Sequence, residues 1–125
     1  MLAVLEEAKR RCGDLPVALA GFSFGGFVQT RVAKALAESG HPAQRLVLVG
    51  TAAGFVEGTR SYDTEAVPND TIVIHGSADE TVPLANVLKW AEPLELPVSV
   101  VPGADHFFHR RLHVIREIIT RSWRH

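Results

Sequence analysis

Three side chains of this sequence are of the types that activate a hydroxyl against a carbonyl, and each stands at a turn rather than inside a regular run. Ser23 lies in Gly21-Phe22-Ser23-Phe24-Gly25, Asp79 in His75-Gly76-Ser77-Ala78-Asp79, and His106 in Gly103-Ala104-Asp105-His106. A serine hydroxyl is a weak nucleophile at neutral pH until an imidazole accepts its proton. The imidazole in turn needs a carboxylate to fix its tautomer and to stabilise the imidazolium. Gly-x-Ser-x-Gly suits a nucleophile at the tip of a sharp strand-to-helix turn, where the backbone is strained and side chains at Gly21 and Gly25 are expected to collide with neighbouring elements. A helix starting near Gly25 aims its free N–H groups and positive dipole end at that turn, where charge on an oxyanion develops.

Each residue has a plainer reading. Gly21 to Gly26 also has phosphate-loop spacing, but Phe27 stands where the lysine should be, and no Gly-x-Gly-x-x-Gly follows a strand. Asp79 can serve as the cap of a turn before a helix at Pro83. Asp105 reads as a loop-stabilising acceptor, because adjacent residues rarely present their side chains to each other. His75 ends a strand and is expected to pack near the acid loop. His109 and His113 have the i, i+4 spacing of metal ligands, yet the residues between them offer no glutamate of the H-E-x-x-H kind, so no metal is expected. Phe22, Phe24, Phe107 and Phe108 line an apolar acyl pocket or serve as core.

The elements that must position these residues alternate along the chain. Leu2, Leu5, Ala8 and Cys12 recur at helical spacing, so residues 2–12 are expected to form an amphipathic helix that Gly13 stops. A strand over 17–20 leads through Ser23 into a helix over about 25–38, with Val28, Val32, Ala35 and Leu36 inward and Gly40 and Pro42 as stop signals. Residues 45–50 and 71–76 are continuous apolar runs, as in strands buried on both faces of a parallel sheet. Between them, 51–70 shows no helical period and reads as a long loop, too short for a large lid. A helix over about 83–91 with Leu84, Val87, Leu88 and Ala91 inward, a strand over 97–101, and a last helix over about 109–123 with Leu112, Ile115 and Ile119 on one face complete the order. This alternation predicts an α/β fold, a three-layer α/β/α arrangement with a mostly parallel sheet of about four strands. Ser23, Asp79 and His106 each follow a strand, and the carboxyl ends of strands are where such sheets gather reactive groups.

Gly21-Phe22-Ser23-Phe24-Gly25-Gly26, the run His75 to Pro83, and Gly103-Ala104-Asp105-His106-Phe107-Phe108 together resemble the α/β-hydrolase superfamily, specifically its small lidless bacterial serine hydrolases near the dienelactone-hydrolase-like proteins. The likeness spans nearly the whole chain and keeps the order Ser, acid, His. It implies Ser23 as nucleophile, Asp79 as acid, His106 as base and the Phe24 backbone N–H as an oxyanion donor, with no cofactor and a small acyl compound as substrate. The departure is at the front: the superfamily draws a second oxyanion donor from a loop well before the nucleophile, and this chain has no sequence there. The expectation is a single domain over residues 1–125 that corresponds to the C-terminal half of the fold and lacks its N-terminal strands. Loss of one donor costs roughly 10²- to 10³-fold in turnover, and the strand before Ser23 becomes an edge that invites pairing with a second copy. The alternative is an inactive fragment or pseudoenzyme that acts by self-association or as part of a longer chain.

Composition narrows the class further. With 46% hydrophobic and 22% charged residues, the 125-residue chain has the make-up of a globular protein. A net charge of −1 gives no electrostatic case for nucleic acid or an anionic membrane. No apolar run approaches the roughly 20 residues that cross a bilayer. Cys12 is the only cysteine, so no intrachain disulfide forms, and the start of the chain lacks the basic-then-apolar order of a signal peptide. The expected location is the cytoplasm.

Overall fold

The protein is described by a computed structural model covering residues 17–56, 58 and 60–123; the expected helix over 2–12, with Cys12, lies outside these. In chain order the elements are β1 (Ala18–Phe22), α1 (Phe24–Glu38), β2 (Arg45–Val49), β3 (Gly54–Phe55), β4 (Ser61–Tyr62), β5 (Ile72–Gly76), α2 (Leu84–Ala91) with a 3₁₀ turn at Glu92–Leu94, β6 (Ser99–Val101) and α3 (Leu112–Ser122). Four strands form one sheet in the order β1-β2-β5-β6. All its pairings are parallel, with Gly21 beside Leu48, Leu48 beside Val73, and Ile74 beside Ser99. Parallel pairing forces each connection to cross a face of the sheet, which is why helices separate the strands. Among the described residues β1 pairs only with β2 and stands at the sheet's edge.

Alternate residues of a strand point to opposite faces, so the continuous apolar runs feed two cores. Leu19, Leu46, Leu48 and Val73 meet Val32 and Leu36 of α1 and Val87 and Ala91 of α2. On the other face Val47, Ile72, Ile74 and Val101 gather with Phe108, and Val114, Ile115, Ile118 and Ile119 of α3 pack against them. The result is the expected three layers. Leu48 and Ile74 are wholly buried, which contributes about 1.5–3 kcal/mol for each side chain. No helix of the described residues is long and apolar enough to cross a membrane.

Several elements depart from the sequence-based expectations. The loop over 51–70 contains a two-stranded antiparallel sheet, β3 with β4. It is tied down by Asn86 Nδ2, which donates to the carbonyls of Ala53 (2.9 Å) and Phe55 (2.8 Å), and by the Trp90 indole N–H, which donates to Glu65 O at 3.2 Å. The last helix starts at Leu112 rather than near His109, because Phe108 and Arg110 sit at φ 54° and 63° and turn the chain instead of winding it. Its inward stripe therefore shifts, and Leu112 is exposed. Leu88 is exposed as well, since Val87 and Ala91, one helical turn apart, carry the contact of α2 with the sheet.

Candidate active site

Ser23 follows β1 directly and holds φ 57°, ψ −123°, outside the conformations that L residues ordinarily adopt. Local pairing holds it there. Its N–H donates to Val49 O at 3.0 Å, and its carbonyl accepts from the N–H groups of Gly26 (3.0 Å) and Ala52 (3.1 Å). A Cβ on Gly21 would lie 2.5 Å from the Gly25 carbonyl oxygen, so that glycine is required by close approach. The expectation for Gly25 is corrected: a Cβ there meets nothing within 4 Å, whereas one on Gly26 would lie 2.5 Å from Thr51 Oγ1. The second contact that demands glycine is thus between α1 and the segment after β2.

Asp79 lies in the loop after β5, and its side chain is fully buried. One carboxylate oxygen, Oδ1, accepts the N–H groups of Thr81 (2.9 Å) and Val82 (2.7 Å), which form the turn leading to α2. The other, Oδ2, accepts from His106 Nδ1 at 2.7 Å. A carboxylate offers only acceptors, so the proton sits on Nδ1, and His106 Nε2 turns its lone pair to the Ser23 hydroxyl, which donates to it across 2.9 Å. The chain of hydrogen bonds therefore runs from the serine oxygen to a buried carboxylate, and it gives the serine proton an acceptor.

The loop that carries His106 is locked to the loop that carries Asp79. Ala78 N–H donates to Ala104 O at 3.0 Å, Ser77 N–H to Val101 O at 3.1 Å, and Gly103 N–H to Ser77 Oγ at 2.7 Å. A Cβ on Gly76 would run into the Ala104 carbonyl. Asp105 accepts both the backbone N–H and the ring Nδ1 of His109, as a loop-stabilising acceptor should. Those hydrogen bonds hold its pKa below the usual carboxylate value. His75 reaches the same place from below: its Nε2–H donates to Val82 O at 2.7 Å and stands 3.3 Å from Asp79 Oδ2. Burial pushes the His75 pKa down, so the neutral ring is favoured beside the acid.

Two groups of aromatic rings adjoin the site, one around His106 and one around Phe24. Phe22 and Phe107 stand 5.0 Å from the His106 ring, and Phe24 faces Phe27 and Tyr62 at 6.0 and 6.1 Å. Phe22, Phe24 and Phe107 are exposed, while Phe108 is buried in the core under α3 and is removed from the expected acyl pocket. Tyr62 and Arg60 were not singled out in the sequence, and Phe27 only as the residue that breaks the phosphate-loop pattern; only the fold brings Tyr62 and Arg60 beside Phe24. Among the described residues no three His, Cys, Asp or Glu side chains are grouped to hold a metal.

The Thioesterase domain family model matches residues 2–94. The chain belongs to this thioesterase family of the α/β-hydrolase superfamily. The match takes in Ser23 and Asp79 and ends before β6, so the place of His106 in this thioesterase-family chain rests on the geometry above. Among solved structures it is similar to an α/β serine hydrolase without lid from Xanthomonas campestris, at 34% identity and a TM-score of 0.77, over 96% of this chain and 52% of that one. It is also similar to an α/β serine hydrolase homologue from Coxiella burnetii, at 33% identity and a TM-score of 0.74, over 96% of this chain and 55% of that one. With the type II thioesterase BorB from the borrelidin biosynthetic cluster it shares the fold, at 17% identity and a TM-score of 0.65, over 96% of this chain and 68% of that one. The chain thus spans about half the length of the first two structures. No curated protein matches it.

Proposed function

We propose that this chain carries the catalytic residues of a serine hydrolase that cleaves an ester or thioester through an acyl-enzyme. The reading is carried by one observation, the continuous hydrogen-bonded line from Asp79 through His106 to Ser23. Ser23 Oγ attacks the acyl carbon as His106 Nε2 takes its proton, and the Asp79 carboxylate stabilises the imidazolium. The tetrahedral oxyanion faces the N-terminus of α1, where the Phe24 N–H has no intrahelical acceptor and the helix dipole is positive. The imidazolium then gives its proton to the departing alkoxide or thiolate and leaves the acyl group on Ser23. Water, deprotonated by the same nitrogen, hydrolyses that acyl-enzyme and restores the serine. These steps draw on the three side chains, the Phe24 backbone N–H and water, and call for no cofactor.

A fluorophosphonate probe tests this directly. The expected result is covalent labelling of the chain that Ser23→Ala and His106→Ala both abolish, accompanied by turnover of short acyl esters and thioesters. Absence of labelling in a folded chain, or labelling that survives Ser23→Ala, overturns the assignment. The span of about half the matched structures and the position of β1 at the sheet's edge favour a second reading. In it the chain keeps the three residues but acts by pairing through that edge, with a second copy or within a longer chain. Light scattering on the unlabelled protein separates the two, because a concentration-dependent dimer without turnover supports only the second.

A further inference from the structure

Two guanidinium groups from different parts of the chain converge on one aromatic ring beside Ser23. Arg31 Cζ, from α1, stands 4.7 Å from the Phe27 ring centroid, and Arg60 Cζ, from the turn before β4, stands 5.5 Å from the same centroid. Arg60 also lies 4.9 Å from the Tyr62 ring and 5.9 Å from that of Phe24, the residue after Ser23. Phe27 and Tyr62 meet edge to face at 5.0 Å, and Phe24 stands 6.0 and 6.1 Å from them, so the three rings form one aromatic cluster that both cations touch. Both arginines are exposed, and neither has a carboxylate partner among the described residues, although Lys34, one helical turn from Arg31, pairs with Glu65 at 3.0 Å. Like charges repel when gathered, and the first turn of α1 contains no acidic residue to offset them. Glu80 and Asp105, by contrast, line the recess beside His106.

We propose that Arg31 and Arg60 form an anion subsite, so that the acyl substrate of Ser23 carries an oxyanion, a carboxylate or a phosphate, held beside the aromatic cluster of Phe24, Phe27 and Tyr62. The proposal rests on the reading of Ser23 as nucleophile and adds to it the charge of the substrate. A guanidinium lying over a ring keeps its in-plane N–H groups for an oxyanion and binds carboxylate and phosphate in the same forked geometry. The rings hold both side chains near one position, which reduces the ordering that binding requires. An uncharged acyl chain leaves the two cations without an anion, whereas a charged one pairs with them.

Matched p-nitrophenyl esters test the proposal: the neutral butyrate, the monosuccinate with its terminal carboxylate, and an ester of similar reach ending in phosphate. The expected kcat/KM of the wild type favours an anionic ester by about tenfold at low salt, in keeping with two partly screened ion pairs, and the preference shrinks as salt is added. The double substitution Arg31→Gln with Arg60→Gln brings the charged-to-neutral ratio to about one, and the matching lysine pair restores part of it. The better of the two anionic esters identifies the oxyanion. A wild-type ratio near one, or a ratio that the glutamine pair leaves unchanged, overturns the subsite while Ser23-dependent turnover of the neutral ester leaves the proposed function standing. If no ester is turned over and the probe does not label Ser23, the proposed function fails, and calorimetry with succinate and with inorganic phosphate decides the subsite by itself. Binding that the glutamine pair removes supports it, and no binding overturns it.

Discussion

Asp79 divides its two oxygens between two tasks. The turn-capping role and the histidine-orienting role compete when the sequence alone is read. In the structure Oδ1 takes the first and Oδ2 the second. Asp79→Asn separates them, because the amide keeps an oxygen for the Thr81 and Val82 N–H groups but removes the charge that fixes the Nδ1–H tautomer of His106. The expected outcome is a fall in kcat of about 10⁴-fold with a nearly unchanged thermal midpoint, checked by ester turnover beside a melting curve. His75 makes a prediction about stability instead. Its ring is wholly buried, and burial holds its pKa below the ordinary 6.5. Between that lowered value and 6.5 the unfolded chain binds a proton that the folded chain does not, so this contribution to stability is full above pH 6.5 and is lost as the pH falls toward the folded value. Urea midpoints measured downward from pH 7.5 should therefore decline in that window, and His75→Gln should flatten the decline. An equal slope in the two proteins would clear His75 of the effect.

At the scale of elements, the strand-to-helix turn depends on which glycine meets which neighbour. Gly21→Ala drives a Cβ into the backbone of the first turn of α1 at 2.5 Å, whereas Gly25→Ala enters open space on a helix. The first should lower stability by about 1–3 kcal/mol as an overpacking change. The second should be neutral or raise stability by about 0.5–1 kcal/mol, because alanine loses less backbone entropy than glycine in a helix. Urea denaturation of the two variants side by side checks the pair. The main sheet was legible in the sequence because strands buried on both faces leave unbroken runs such as Leu46-Val47-Leu48-Val49 and Ile72-Val73-Ile74. Serine, aspartate and histidine were legible because each follows a strand, although only the strand before Asp79 is buried on both faces. The β3–β4 hairpin was not, since strands of two residues are too short to show a period. The start of α3 was misplaced because the positive φ values of Phe108 and Arg110 fall on residues whose types do not announce a turn. Arg31 and Arg60 passed unnoticed for a different reason: exposed arginines look alike in a sequence whether or not the fold gathers them.

For the molecule as a whole, the loop that carries His106 is tied to one of the two cores. His106 is carried by the loop between β6 and α3, and two residues later Phe108 is buried with Val47, Ile72, Ile74 and Val101 beneath the stripe of α3. The Phe108 N–H donates to Asp105 O at 3.1 Å, and its carbonyl accepts from Arg111 at 2.9 Å, so the ring anchors both ends of the turn that follows the histidine. Removing it by Phe108→Ala should cost about 3–5 kcal/mol, a large part of the 5–15 kcal/mol that holds a domain folded. If the ring fixes His106 as well as filling space, the variant should lose more than stability. Its rate of fluorophosphonate labelling, measured without denaturant while the chain is still folded, should fall well below that of Leu48→Ala. That second substitution empties a site of the opposite core, among Leu19, Val32 and Val73, away from the histidine loop. Urea midpoints place the two variants on one stability scale, and labelling is then compared at equal folded fraction. Equal labelling would mean that the Asp79 carboxylate and the backbone bonds between the two loops hold His106 without help from the core. A selective loss in Phe108→Ala would place the rigidity of the hydrogen-bonded line in the packing of α3.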